Sequence, residues 1–115
     1  MNLGFIGTGN IVSDVVIGIS KSKIRYKKII ISPRNKKKAL YLKKYFKKVI
    51  IAKDNQDVIN KANWIFLGIL PKVGETILPK LRFRDNQIIV SFMSTINYQK
   101  LKKLIKTKSI IIRAI

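Results

Sequence analysis

Two glycines near the amino terminus, Gly7 and Gly9, have the spacing of a turn that binds a diphosphate. The apolar run at residues 2–6 predicts a strand before this turn, and residues 10–21 repeat apolar side chains at helical spacing. Gly7 would allow the tight bend, and Gly9 would let the backbone approach phosphate oxygens closely. The first amides of the helix would then point at the phosphates. Residues 7–10 are therefore predicted to hold a dinucleotide pyrophosphate.

A glycine pair also occurs in ordinary turns between a strand and a helix, so its context decides. Here the pair begins at residue 7, follows a predicted strand and opens a helix, which favours dinucleotide binding. Val12 departs from the usual pattern, in which a third glycine or an alanine stands at this point. We expect this larger side chain to set the helix slightly further from the strand, without loss of the phosphate site.

The predicted second strand ends at Ser32-Pro33-Arg34-Asn35-Lys36, a run without an acidic residue. Enzymes that prefer NAD place Asp or Glu here, where the carboxylate accepts a hydrogen bond from the ribose 2′-hydroxyl. Ser32, Arg34 and Lys36 could instead donate to a 2′-phosphate, for which arginine offers bidentate geometry. The run therefore favours NADPH, with NADH still possible. The alternative is that Arg34 and Lys36 are ordinary solvated charges.

The carboxyl ends of the strands form the edge of a parallel sheet at which ligands lie. The predicted strand ends at this edge are residues 68–71, 91–94 and 114–115. Gly68 would let the backbone come close to a cofactor, and Pro71 would fix the turn that follows. Ser91 and Ser94 could hydrogen-bond a nicotinamide or a substrate, or they could cap the following helix.

Short β-branched runs alternate with amphipathic segments along the whole chain. The predicted strands are residues 2–6, 28–32, 49–52, 64–70, 88–92 and 109–114. The predicted helices are residues 10–21, 36–47, 55–61 (capped by Asp54 or Asn55), 72–81 and 97–106. This alternation predicts one α/β domain over residues 1–115, a Rossmann-type doubly wound parallel sheet with helices on both faces. The expected strand order is 3-2-1-4-5-6.

The composition excludes several kinds of catalytic site. The chain has no cysteine and no histidine, which removes thiolate nucleophiles, disulfides and the commonest metal ligands and general bases. Its five acidic residues are scattered, so a hydrolase with paired carboxylates is not favoured. No catalytic residue and no metal site are predicted, and the chemistry must come from a cofactor or from another domain. Without a signal peptide or an apolar run of about 20 residues, a cytoplasmic protein without membrane spans is expected.

The net charge of +20 would ordinarily suggest an anionic partner. A basic nucleic-acid-binding module is therefore the alternative from a different functional class. Two observations weigh against it. The lysines are spread over every predicted helix and loop, and the aromatic residues Tyr45 and Phe46 are interpreted as core residues rather than as rings interleaved with lysines on one face. Nucleic-acid binding is consequently not favoured.

Taken together, these stretches resemble the N-terminal NAD(P)-binding domain of pyrroline-5-carboxylate reductase, a family that reduces an imine to proline. The similarity runs along the full length and is carried by residues 4–10, 32–35, 54–55, 66–72 and 113–115. The resemblance implies cofactor contacts from Gly7, Thr8, Gly9, Asn10, Ile11, Ser32, Arg34, Asn35, Asn55, Gly68, Ile69, Leu70 and Pro71. Asn55 would lie near the adenosine ribose.

The resemblance also implies an NAD(P)H-dependent oxidoreductase that acts on a C–N bond in proline biosynthesis, with a small imine as substrate. The family usually has lysine where this chain has Leu70, and smaller residues where it has Phe92 to Thr95, so the substrate itself stays open. In the family a further helical domain forms the dimer and most of the substrate pocket. Residues 1–115 are therefore expected to be a truncated piece that binds cofactor with little or no turnover and forms homo-oligomers only with that domain. Another NAD(P)-dependent Rossmann dehydrogenase is the nearest alternative.

Overall fold

The computed structural model of the protein describes residues 1–7 and 9–114. The strands within that range are β1 (Asn2–Ile6), β2 (Lys28–Ile31), β3 (Val49–Ile51), β4 (Trp64–Leu67), β5 (Ile88–Ser91) and β6 (Ile110–Arg113). The helices are α1 (Asn10–Ser20), α2 (Lys36–Tyr45), α3 (Asn55–Lys61), α4 (Pro71–Ile77) and α5 (Tyr98–Leu104). A single 3₁₀ turn, Leu78–Lys80, directly follows α4.

All six strands run parallel in one sheet, with the order β3-β2-β1-β4-β5-β6. The predicted Rossmann-type topology and strand order are confirmed. The direction in which new strands are added reverses between β1 and β4, where Phe5 of β1 lies beside Phe66 of β4. A crevice opens at the carboxyl end of a sheet where the order reverses in this way, so this junction decides where a ligand can bind.

The core consists of two apolar layers, one on each face of the sheet, because alternate side chains of every strand point to opposite faces. On one face α1 and α2 cover residues such as Phe5, Ile29 and Ile31. On the other face α3 and α5 cover residues such as Ile65 and Ile89. Both faces of the central sheet are buried, so the strands are apolar except at their ends, where Asn2, Lys28, Ser91 and Arg113 stand.

Three of the helices begin with a side chain that accepts a hydrogen bond from an amide of the first turn. The pairs are Asn35 with the Lys38 amide at 3.2 Å, Asp54 with the Asp57 amide at 2.8 Å, and Asn97 with the Lys100 amide at 2.9 Å. Since Asn97 caps α5, neither Ser91 nor Ser94 serves as its cap. The predicted cap of α3 is confirmed for Asp54.

Several elements end earlier than predicted, and β4 shows the physical reason. The Gly68 amide still donates to the Ile6 carbonyl oxygen at 2.9 Å, but the chain then leaves the sheet. Leu70 becomes the N-cap of α4 and Pro71 its first residue. Proline is well suited to that position, because its missing N–H would have no partner there in any case.

The interpretation of Tyr45 as a core residue was wrong. Helix α2 ends at Tyr45, and the following residue, Phe46, is extended (φ −130°, ψ 110°). Tyr45 lies one turn after the exposed Tyr41 on the same helix face, and 60% of its surface is exposed. Phe46 does pack against the buried layer. The edge strand β6 also departs from the expected fully buried pattern, since Ile111 is buried whereas Ile110 and Ile112 are 62% and 41% exposed.

The close packing of α3 on β1 predicts opposite effects for two glycines. A Cβ atom on Gly4 would lie 2.7 Å from the Ala62 Cβ and 2.8 Å from the Val58 Cγ1, whereas a Cβ on Gly18 would meet nothing within 4 Å. We expect Gly4→Ala to lower the free energy of unfolding by about 1–3 kcal/mol through overpacking. Gly18→Ala, in an exposed helix position, should raise it by about 0.5–1 kcal/mol. Urea denaturation measures both, and equal stabilities would contradict this packing.

Candidate cofactor site

A cleft of about 540 Å³ lies at the carboxyl edge of the sheet, between the ends of β1, β2 and β4. Its volume is within the range of small-molecule and cofactor sites. It is lined by Gly7, Gly9, Arg34, Asn35, Lys36, Gly68, Ile69, Leu70 and Val73. Among these described residues none is acidic, so the lining favours an anionic ligand.

Gly7 makes the bend at the end of β1, and only glycine fits there. Its φ of +98° lies in a region that other residues rarely adopt. A Cβ atom would also lie 2.3 Å from the Gly68 carbonyl oxygen, far inside contact distance. The requirement for glycine at position 7 is therefore a requirement of the protein's own packing, independent of any ligand.

Gly9 is different, because the protein itself does not require glycine there. Its backbone is extended (φ −75°, ψ −173°), and a Cβ atom would meet nothing within 4 Å. Gly9 faces open space in the cleft, which a side chain would fill and a ligand can occupy. The residues present therefore fit a group that must approach the backbone closely.

The start of α1 supplies hydrogen-bond donors to this open space. The Ser13 amide makes the first bond of the helix, to the Gly9 carbonyl oxygen at 3.0 Å, so the amides of residues 10–12 precede the helical ladder. The N-cap, Gly9, has no side chain that could accept from them, and the first turn contains no acidic residue. These amides, with the positive end of the helix dipole, are donors of the kind that bind phosphate in other proteins.

Val12 packs directly against Gly68, a contact that was not predicted. Val12 is fully buried, and a Cβ on Gly68 would lie 2.2 Å from its Cγ2 atom. The space that the usual third glycine would leave open is thus filled by valine, and the missing side chain at position 68 compensates. Gly68 lines the cleft as predicted, and its lack of a side chain is required by Val12.

The loop after β2 forms the other wall of the cleft through Arg34, Asn35 and Lys36. Asn35 also caps α2, which fixes the direction in which this loop leaves the sheet. Ser32 is only 2% exposed, and its hydroxyl oxygen accepts from the Arg34 amide at 3.5 Å. Ser32 therefore supports the turn from behind instead of lining the cleft.

Lys38 connects the two walls and was not predicted as a site residue. Its ammonium group donates to the side-chain oxygen of Asn10, so the first turn of α2 is linked to the first residue of α1. Lys38 could have been identified from its spacing. It lies three residues after the predicted site residue Asn35, and residues three apart share a helix face. Val73, another lining residue, was also missed.

A second, adjoining cleft of about 320 Å³ is largely apolar. It shares Gly9, Gly68, Ile69 and Leu70 with the first, and adds Asn10, Ile11 and Phe92. Ile11 and Leu70 expose 59% and 73% of their surface. They offer an apolar wall to a planar ring.

Some predicted residues lie outside these two linings. Asn55 is the first residue of α3, at the same edge of the sheet but outside the cleft lining. Pro71 is the first residue of α4, directly after Leu70. Thr8 lies outside the described residues, as does Ile115 at the end of the chain.

The loop that follows β5 is organised by its own hydrogen bonds. Ser91 is buried, and its hydroxyl oxygen accepts from the Met93 amide at 3.1 Å. The guanidinium of Arg113 donates to the Ser94 carbonyl oxygen at 2.9 Å. These bonds hold Phe92, which closes the second cleft, in place.

Residues 2–95 match the family described as NADP oxidoreductase, coenzyme F420-dependent. The chain belongs to this family. It is an NAD(P)-binding Rossmann domain of an oxidoreductase family, which agrees with the geometry of the cleft. A search of curated proteins finds no match.

Solved structures give the same assignment of the fold. A pyrroline-5-carboxylate reductase from Streptococcus pyogenes is similar with a TM-score of 0.80 and 29% identity, covering 98% of this chain and 41% of that one. A second such reductase, from Coxiella burnetii, has a TM-score of 0.86 at 21% identity over 99% of this chain and 43% of that one. The resemblance to this family is confirmed.

The Rossmann fold is also shared with a shikimate dehydrogenase from Mycobacterium tuberculosis, with a TM-score of 0.74, 14% identity, and 97% of this chain and 43% of that one covered. The chain therefore spans about two fifths of the length of the solved proteins it matches.

Two further searches of the described residues are negative. No cluster of three or more Asp, Glu, His or Cys side chains there could hold a metal ion. None of the helices in residues 1–7 and 9–114 is long and apolar enough to cross a membrane.

Asp57 stabilises the loop that precedes Asn55. The lowered pKa of its carboxyl group predicts that the stability of the fold depends on pH. The Lys53 amide donates to its carboxylate at 2.9 Å and the Lys61 ammonium lies 3.1 Å away, so the pKa of Asp57 is lowered below 3.8. The ionised form is therefore the one that stabilises the fold. Its contribution is complete above the ordinary pKa and is lost as the pH falls through the lowered one.

We expect Asp57→Asn to cost up to about 1 kcal/mol of stability at pH 7, a modest figure because the group is partly exposed. The difference from the wild type should shrink towards zero as the pH falls through the lowered pKa of Asp57. Denaturation curves at pH 7 and at a series of acidic pH values test this, and a difference that stays constant with pH would contradict it.

Proposed function

We propose that residues 1–115 bind NADPH as the cofactor domain of a reductase of the pyrroline-5-carboxylate reductase type. The observation that carries this proposal is the open position at Gly9, next to the first amides of α1, for which Gly9 has no side chain that could accept a hydrogen bond. A pyrophosphate has the charge and the oxygen acceptors that these amides require. When bound, the cofactor supplies a hydride for reduction.

Each part of the cofactor has a matching set of residues. The pyrophosphate would be held by the turn at residues 7–10 and the first turn of α1, with Thr8 and Asn10 as flanking polar groups. The nicotinamide would lie in the apolar cleft against Ile11, Leu70 and Phe92. The backbone from Gly68 to Pro71 would form the floor, and Asn55 would lie towards the adenosine ribose.

Preference for NADPH over NADH is supported by the charges at the end of β2. Arg34 and Lys36 line the cleft, and no acidic side chain stands in that wall to accept from a ribose 2′-hydroxyl. Arg34 would donate to a 2′-phosphate, with Lys36 and Asn35 beside it and Ser32 supporting the turn.

The substrate would be a small imine, as the names of the two similar reductases suggest. We assign no proton donor within residues 1–115. The role of this part of the chain is to bind the cofactor and to orient its reactive ring beside Leu70 and Phe92. We therefore expect residues 1–115 alone to bind NADPH and to give little or no turnover, with homo-oligomers requiring the further domain seen in the family.

Titration calorimetry with NADPH and NADH at two salt concentrations tests the proposal. NADPH should bind more tightly than NADH, and its affinity should fall with salt much less steeply than that of a polyanion held by many lysines. Equal affinity for both cofactors would contradict the NADPH preference, and absence of binding by either would contradict the cofactor site itself.

Arg34→Ser should weaken NADPH binding by roughly tenfold or more, because a charge-assisted hydrogen bond is lost. NADH lacks the 2′-phosphate, so its affinity should change little. Arg25→Ser is the matched control, since it removes the same charge from an exposed position at the opposite edge of the sheet. If both variants lost affinity equally, Arg34 would act through the overall charge alone.

A further inference from the structure

A groove of about 260 Å³ lies at the amino edge of the sheet, opposite the cofactor cleft. One wall comes from residues 20–26, after α1, and the other from residues 45–48, at the end of α2. The ammonium of Lys48 donates to the Tyr26 carbonyl oxygen at 3.3 Å and lies 4.7 Å from the centre of the Tyr26 ring. The walls of this amino-edge groove are therefore tied together.

The surface around the amino-edge groove is strongly positive. Between Asp14 and Asp54 the chain has no acidic residue but fourteen lysines and arginines. Nine of these are exposed next to the groove, within residues 21–28 and 43–48. The ion pairs found in the described part of the chain involve Lys61 and Lys100, which lie elsewhere, so these nine charges are not neutralised by carboxylates.

Exposed tyrosine rings lie among these lysines. Tyr41 and Tyr45 are one turn apart on α2, with 52% and 60% of their surface exposed. Their ring centres are 4.8 Å apart at an angle of 49°, and the Lys44 ammonium lies 5.5 Å from the centre of the Tyr45 ring. On this surface, contrary to the expectation from the sequence, aromatic rings do lie among lysines on one face.

We propose that the amino-edge groove, with Tyr41 and Tyr45, binds single-stranded nucleic acid. Lysines that follow a groove bind the phosphates, and exposed rings stack on unpaired bases. A duplex would not offer its bases to these rings. A membrane surface fits less well, because the groove lining contributes only one aliphatic side chain, that of Ile24.

This activity is separate from the proposed cofactor binding. The amino and carboxyl edges of a parallel sheet are opposite ends of the molecule, and no residue lines both the groove and the cofactor cleft. Both ligands could therefore be bound at once, and a variant at one site should leave the other unchanged.

A basic surface attracts any polyanion, so the test must separate the contribution of ring stacking to binding from the contribution of charge. A fluorescent oligothymidylate is titrated by anisotropy into wild type, into the double variant Tyr41→Leu/Tyr45→Leu, and into Tyr98→Leu. Tyr98 is the matched control because it is also exposed (47%) and has a lysine, Lys102, at 5.6 Å from its ring centre. Thermal denaturation and NADPH binding show that each variant is folded.

We expect the double variant to bind the oligothymidylate roughly tenfold or more weakly than wild type, through loss of stacking. The dependence of log affinity on log salt should stay the same, because no charge has changed. Tyr98→Leu should remain within about twofold of wild type, as for an ordinary surface substitution.

Three results would overturn the proposal. In the first, the double variant binds the oligothymidylate as tightly as wild type, which would leave charge as the whole cause. In the second, Tyr98→Leu loses as much affinity as the double variant. In the third, the binding of vesicles that contain phosphatidylglycerol is weakened by the double variant, whereas the binding of the oligothymidylate is not. This result would assign the surface to membranes.

Discussion

The first amides of α1 carry a partial positive charge that the residue at the N-cap does not satisfy, because Gly9 has no side chain. α2, α3 and α5 satisfy the corresponding amides with Asn35, Asp54 and Asn97. Helix α1 can leave its amides open because β1, in the middle of the sheet, and the buried residues Val12 and Val16 hold the helix in place. α4 also begins without a side-chain cap, but its first residue is a proline, which has no N–H. The start of α1 is thus stabilised by packing, and its amides can serve the proposed cofactor.

The position of those amides depends on the contact between Gly7 and Gly68. The backbone of Gly7 passes so close to the Gly68 carbonyl that a single carbon atom would not fit between them. This contact joins the ends of β1 and β4 at the point where the strand order reverses. The same two glycines therefore define the turn, make room for Val12 and line the cleft, which explains why a valine is tolerated where the family pattern has a smaller residue.

Much of the fold could be predicted from the sequence because its signals are local. The apolar runs, the Gly7–Gly9 turn and the cap at Asp54 each lie within a few residues of the element they define, whereas the cap at Asn97 was not predicted. The pairing of Val12 with Gly68, and the link from Lys38 to Asn10, could not be predicted, because each joins residues far apart in the chain. Tyr45 was misassigned because positions 45 and 46 both fit helical spacing after the buried Leu42. Phe46 packs against the buried layer, whereas Tyr45 lies on the exposed face beside Tyr41.

The most direct test of the central claim is the affinity of Gly9→Val for NADPH, measured by calorimetry beside Gly18→Val. Both positions have open space around a Cβ atom, and the backbone of Gly9 is extended, so both variants should fold. If nucleotide phosphates approach the backbone at Gly9, this variant should lose roughly tenfold or more in affinity, while Gly18→Val keeps that of wild type. A folded Gly9→Val protein that still binds NADPH as tightly as wild type would contradict the account.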